Sequence, residues 1–169
     1  IDGGGGNDII FSGRGPDPLD GGEGDDVFVY TTEENSADTV IGGLGTDTIF
    51  IAEDGTTAGL NGLNDDTDAT NDVEIIDGGN TTGSRVTGTG GADELDFSNV
   101  EFRNLGSGFE VNAGGNGDTI WTSNLTAGVS YRSGAGPDTF HLGSQSSVLL
   151  YDTSENNYDT FNGNTANDL

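Results

Sequence analysis

Three nine-residue segments follow one another without a gap near the start of the chain, and this repeat restricts the fold more than any other feature. They run Gly3-Gly-Gly-Gly-Asn-Asp-Ile-Ile-Phe11, Ser12-Gly-Arg-Gly-Pro-Asp-Pro-Leu-Asp20 and Gly21-Gly-Glu-Gly-Asp-Asp-Val-Phe-Val29. They follow the pattern G-G-x-G-x-D-x-U-x, where U is a large apolar residue. The fourth position is Gly6, Gly15 and Gly24, the sixth Asp8, Asp17 and Asp26, and the eighth Ile10, Leu19 and Phe28. A fourth copy, Gly42-Gly-Leu-Gly-Thr-Asp-Thr-Ile-Phe50, fits at every position. Ile1-Asp2 reads as positions eight and nine of a preceding copy, as Leu19-Asp20 does before Gly21, so the chain is expected to be part of something longer.

The residue types explain the pattern. Gly lets the backbone enter φ > 0 conformations and turn carbonyls toward a common point. The Asp supplies a hard carboxylate oxygen to the same point. Calcium takes six to eight such oxygens in a flexible shell. The expected contributors are Gly3, Gly5 and Asp8; Gly13, Gly15 and Asp17; Gly21, Gly24 and Asp26; and Gly42, Gly45 and Asp47, holding several Ca2+ ions. The x-U-x that follows is a short strand with one inward residue in a thin core. Two nonapeptides make one coil of about 18 residues. Asp8 and Asp26 therefore belong on one side of adjacent coils and Asp17 on the other, where the next copy, near Asn35, is broken.

These residues resemble the repeats-in-toxin (hemolysin-type) calcium-binding nonapeptide family of secreted bacterial proteases, lipases, toxins and adhesins. Segment 21–51, with Asp26-Val-Phe-Val-Tyr30, Asp38-Thr-Val-Ile41 and Asp47-Thr-Ile-Phe50, is similar to the stretch that closes such β-rolls. The resemblance implies a parallel β-roll, calcium held between turns, and export by a type I system. The strict match covers residues 1–50, and the remainder matches more loosely.

Beyond Phe50 an Asp-led strand keeps returning. Asp26, Asp47, Asp72, Asp93, Asp118, Asp138 and Asp159 are separated by 21, 25, 21, 25, 20 and 21 residues. Most have an apolar residue two places on, whereas Asp72 has Glu74 there. Degraded turns precede Asp93, Asp118 and Asp138, which join the candidate calcium ligands; Asn116 takes the position-four place of Gly, as Asn tolerates left-handed geometry. A second strand per period is predicted at Phe109-Glu-Val111, Val129-Ser-Tyr131 and Val148-Leu-Leu150. The fold class expected is all-β, a parallel β-roll or β-solenoid with calcium between turns. A nonapeptide roll over 1–50 would lead into wider coils over 51–169 of the same stack, with a loop insertion near 54–72. Evenly spaced Gly-Asp turns favour this over a β-sandwich with Gly-rich loops.

Charge supports a cationic partner. The net charge is −26, from 30 acidic residues against four arginines, and only 30% of residues are hydrophobic. Such a chain stays disordered unless something neutralises it. If metal alone did so, about 13 divalent ions would be needed, as an upper figure. Nucleic acid and anionic membranes are repelled. Without Cys there is no disulfide or thiolate site, and no run approaches a membrane span.

Segment 66–77 has oxygen side chains spaced as in a calcium loop, but Asn71 stands where Gly belongs and Asp77 where a bidentate Glu belongs, so it reads as a solvated acidic insertion. His141, the sole His, could serve catalysis with Arg132 or Asp138, yet it occupies an outward strand position. The scattered Arg14, Arg85, Arg103 and Arg132 disfavour a polysaccharide lyase or epimerase site. Trp121, with Tyr131 near it in the chain, could stack on sugar but more often covers a core edge. Thr48, Thr119, Thr139 and Thr160 could form an ice-binding ladder, though packing is their default role. The function expected is a non-enzymatic, calcium-dependent structural or binding module of a secreted or cell-surface bacterial protein, folding outside the cell. The alternatives are a carbohydrate-binding or catalytic-support part of an extracellular polysaccharide-active enzyme or protease, and an adhesin, surface-layer or ice-binding segment. Extracellular polysaccharide or cell-surface components are the partners these readings imply.

Overall fold

The computed structural model describes residues 1–33, 36–64, 72–150 and 158–163. Among them there are sixteen strands and no helix. Every strand pairing is parallel and joins one coil to the next, which makes a β-solenoid of about 7 turns. The β-branched and aromatic residues of the x-U-x segments suit this ladder: one side chain enters the core while its two neighbours face outward.

Three sheets run along the stack. A five-stranded sheet holds β1 (Ile9–Phe11), β3 (Val27–Tyr30), β5 (Thr48–Ile51), β7 (Ile75–Asp77) and β10 (Glu101–Arg103). A seven-stranded sheet holds β2 (Pro18–Glu23), β4 (Ala37–Leu44), β6 (Thr57–Leu60), β8 (Arg85–Thr87), β11 (Glu110–Asn112), β13 (Ser130–Arg132) and β15 (Val148–Leu150). The third, four-stranded sheet holds β9 (Glu94–Asp96), β12 (Thr119–Trp121), β14 (Thr139–His141) and β16 (Thr160–Asn162). Except for β10, which follows Val100, the strands of the first and third correspond to the Asp-led strands expected from sequence, and β11, β13 and β15 to the second strand of each period.

The core is a set of axial columns. Ile10, Phe28, Ile49, Ile76 and Phe102 stack in register in the first sheet. Ala58, Val86, Val111, Tyr131 and Leu149 do so in the second, and Leu95, Ile120, Phe140 and Phe161 in the third. Early coils are thin, with the two sheets facing each other through single residues such as Ile10 and Leu19. The middle coils are three-sided and hold an aromatic cluster. Phe97 lies 5.6 Å from Phe102 and 6.1 Å from Tyr131 between ring centroids, and Phe102 lies 6.1 Å from Phe109. Each such pair adds about 0.5–1.5 kcal/mol beyond its buried area.

The five-stranded sheet ends at β10 for a local reason. The N–H of Phe102 is taken by the hydroxyl of Thr126, and the carbonyl of Val100 by the hydroxyl of Ser123, where a further strand would have paired. From there the four-stranded sheet faces the seven-stranded one alone. Its first strand is joined to the earlier coils by the isolated bridge between Leu63 and Leu95.

Candidate metal centre in the axial carboxylate columns

Each position-six Asp sits just before its strand, and the side chains of Asp26, Asp47, Asp118 and Asp138 reach back one coil. The Asp8 N–H donates to Oδ1 of Asp26 at 2.7 Å, the Asp26 N–H to Oδ1 of Asp47 at 2.8 Å, and the Asp47 N–H to Oε2 of Glu74 at 2.7 Å. The coils so bridged are 18, 21 and 27 residues long. On the opposite side the Asp17 N–H donates to Oδ1 of Asp38 at 2.9 Å. In the four-stranded sheet Asp93, Asp118 and Asp138 donate in turn to Asp118, Asp138 and Asp159, at 2.8, 2.8 and 3.1 Å.

One oxygen of each accepting carboxylate, from Asp26, Asp38, Asp47, Glu74, Asp118, Asp138 and Asp159, is thus consumed by the ladder. The other is a different matter. Oδ2 of Asp8, Asp26, Asp47 and Asp118 is buried without a hydrogen-bond partner among the described residues. A buried carboxylate oxygen left so costs on the order of 1–3 kcal/mol or more unless a cation or proton meets it.

The position-one glycines lie against these oxygens. A Cβ on Gly3 would sit 2.9 Å from Oδ2 of Asp8 and 2.6 Å from the carbonyl oxygen of Gly21. At Gly21 the same space is met by Oδ2 of Asp26 and the Gly42 carbonyl, and at Gly42 by Oδ2 of Asp47 and the Asp72 carbonyl. Each cradle therefore brings a carboxylate oxygen and a carbonyl of the next coil to one place, which only a glycine leaves open. These are hard donors of the kind calcium takes. Among the described residues no three acidic or His side chains gather round one point, so most ligands of any ion would be main-chain oxygens.

The other expected ligands divide by position. Gly24 and Gly45, at position four, have φ of 127° and 147°, each with the position-four carbonyl of the preceding coil against it. Gly13 and Gly15 also adopt positive φ, 80° and 103°, but nothing lies within 4 Å of the space their side chains would fill. Gly5 is bridged to Glu23. The position-two carbonyl of Gly4 accepts the N–H of Glu23 at 2.8 Å, so it serves the coil-to-coil ladder. In the later coils Asp93 differs from the others: its Oδ2 accepts the N–H of Thr89 at 2.6 Å and both oxygens accept the Thr89 hydroxyl.

Burial raises the carboxyl pKa of Asp47 and Glu74, against the opposing effect of the N–H each accepts. Asp118 is pushed up to about 7, first by burial and then by the charges of Asp138 and Asp93.

The series from Asp26 to Asp159 is not one column. Glu74, not Asp72, continues the column of Asp26 and Asp47, because Thr48 pairs with Ile75. Asp93 opens a separate column in another sheet, with Val100 in the place that follows Glu74. The near-even sequence spacing arises because the chain changes side of the coil between Asp47 and Asp93. Asp38 and Glu74 were missed as column members. The signal for Asp38 was its Thr39-Val40-Ile41 strand, while Glu74 lacked the Gly-rich turn.

The remaining candidates separate in space. His141 stacks on Trp121, with centroids 4.8 Å apart and planes 9° from parallel. Tyr131 is not beside Trp121 but buried in the core, its hydroxyl accepting the Ser123 N–H at 3.0 Å. Each arginine has a glutamate partner, and Arg132 and Arg85 share Glu110 at 3.2 and 3.9 Å on the seven-stranded sheet. Thr119, Thr139 and Thr160 align in register on the outer face of the four-stranded sheet, while Thr48 lies in another. Residues 66–71 of the acidic segment lie outside the described residues. Both oxygens of Asp77 are committed, to the Gly79 N–H and the Asn104 amide.

The fold and columns define an all-β parallel solenoid. Against known proteins, no family model matches the chain, and neither a curated protein nor a solved structure does.

Proposed function

We propose that the chain is a calcium-dependent structural module of a secreted or cell-surface bacterial protein, of the repeats-in-toxin kind, without catalytic activity of its own. The observation that carries this reading is the set of buried, unpartnered Oδ2 atoms of Asp8, Asp26 and Asp47, each beside a carbonyl at a glycine that leaves the space open. Those residues fit an oxygen-ligated cation, and the resemblance of the nonapeptides names calcium. The net charge of −26 gives the ion a second task, relief of repulsion along the stack. Where calcium is scarce the nonapeptide coils stay unfolded, which keeps the chain exportable. At millimolar calcium the ion bridges coils, and its binding energy becomes folding energy.

Circular dichroism during a calcium titration of chelator-treated protein tests this. The expected result is a chelator-induced loss of the β signal and its recovery with a midpoint at about 10⁻⁴–10⁻³ M calcium, the range of extracellular modules. A spectrum indifferent to both chelator and calcium overturns the reading.

A further inference from the structure

Beyond the calcium columns, the outer edge of the four-stranded sheet carries an open groove of about 320 Å³, within the size range of small-molecule sites. Trp121 and His141 form one wall, and Ser98, Asn124 and Asn162 supply its polar groups. We propose that this groove binds an uncharged oligosaccharide segment.

Four observations converge on that class of ligand. The first is charge: among the described residues no carboxylate or guanidinium lines the groove, and Asp96, in register with Trp121, turns Oδ1 to the Ser98 N–H. A cation finds better ligands elsewhere, and an anion is repelled by the surrounding field. A neutral polar molecule is left.

The second is the wall. The half-buried indole and imidazole lie parallel, and this stacking is the one polar or aromatic side-chain interaction they make among the described residues. Trp121 and His141 pair in register, and His141 pairs in turn with Asn162. The imidazole face turned away from Trp121 is therefore directed toward a shorter, exposed side chain. That leaves one imidazole face, backed only by Asn162, and the outward ring edges to border the groove, a combination of ring face and polar edge that a pyranose ring complements.

The third is preorganisation. Oδ1 of Asn124 accepts the Ser144 N–H at 2.7 Å, which fixes the amide and leaves its NH₂ for a ligand. The buried Thr122 hydroxyl accepts the Gly143 N–H at 2.8 Å, which fixes the main chain that lines the groove. Groups held by the main chain lose little entropy on binding.

The fourth is direction. Ser98, Asn124, Gly143 and Gly163 come from successive coils. With coils about 4.8 Å apart the groove runs about 15 Å along the axis. That suits a short stretch of a polymer better than a monosaccharide.

Trp121 is the sole tryptophan, so its emission reports on the groove directly. The test titrates the protein, with and without calcium and with its fold checked by circular dichroism in each state, against neutral hexasaccharides of glucose, galactose, mannose and xylose. Polygalacturonate serves as the anionic control. In the folded state the expected result is a saturable emission change with at least one neutral hexasaccharide and none with polygalacturonate. Asn124→Ala and His141→Ala, which keep the tryptophan, should each weaken binding tenfold or more without altering the far-ultraviolet spectrum. The proposal is overturned if no neutral hexasaccharide changes the emission of folded protein. It is also overturned if polygalacturonate binds as well, or if both variants bind like the parent chain. Because the fold is verified separately, a negative here is distinct from failure of the calcium reading.

Discussion

At Asp26 the two carboxylate oxygens have different tasks. Oδ1 accepts the N–H of Asp8, and Oδ2 is buried at the cradle of Gly21 and Gly42. Two substitutions separate these tasks. Asp26→Asn keeps an oxygen for the Asp8 N–H but removes the charge, so it is expected to fold while its calcium midpoint rises tenfold or more. Asp26→Ala also leaves the Asp8 donor unpaired and should lose a further 1–3 kcal/mol or so of stability at saturating calcium. Asp20→Ala, at outward position nine, should stay within about 0.5 kcal/mol of the parent. Calcium titrations and urea melts of the three variants check the order. At Asp118 the argument concerns protons. Its carboxyl ionises at about 7 in the fold, against about 3.9 when unfolded. Between those values the folded chain holds the extra proton, so this group's contribution to metal-free stability is greatest in acid and falls as pH rises toward 7. Thermal melts in chelator from pH 4 to 8 should show that decline, and Asp118→Asn should flatten it.

Single turns and strands carry the next level of organisation. The same nonapeptide place has different demands in the first coil and the second. Gly4 and Gly22 both occupy position two, with φ of 92° and 98°. Beside Gly4 the space is open, whereas the Gly4 carbonyl lies against Gly22. Gly4→Ala should therefore cost about 1–2 kcal/mol, the strain of left-handed geometry alone. Gly22→Ala adds a backbone collision and should cost several kcal/mol more, a difference that urea midpoints will resolve. The strands themselves were legible, because one apolar residue two places after an Asp marks β1, β3, β5, β9, β12, β14 and β16 without reference to anything distant. The columns were less so. Membership depends on the length of each coil and on the side at which the chain returns. Asp72 has better spacing than Glu74, yet pairing of Thr48 with Ile75 selects the glutamate. The partner of Asp17 was hidden for the same reason, since the 21-residue step to Asp38 departs from the 18 of the first coil. The stack of Trp121 on His141 follows from two outward positions falling in register, which a chain read along its length does not display.

Across the whole molecule the first and the middle coils of the stack rely on different forces. The first coils are thin, and Oδ2 of Asp8, Asp26 and Asp47 is buried there without a hydrogen-bond partner among the described residues. The middle coils enclose Phe97, Phe102, Phe109 and Tyr131, and the adjoining Asp93 already has Thr89 as partner for both oxygens. A solenoid is close to one-dimensional, so each coil depends mainly on its neighbours and partial unfolding is available to it. Removing calcium therefore should not act evenly. Hydrogen exchange in chelator is expected to lose protection first in β1, β3 and β5, while β9, β11 and β12 retain more of theirs. Adding monovalent salt should restore little to the first group, because screening weakens repulsion between exposed charges but does not supply a ligand to a buried oxygen. Millimolar calcium should restore it fully. Loss of protection at equal rates along the whole stack would instead mean that the aromatic coils cannot stand without the nonapeptide turns, and that the molecule folds as one cooperative unit.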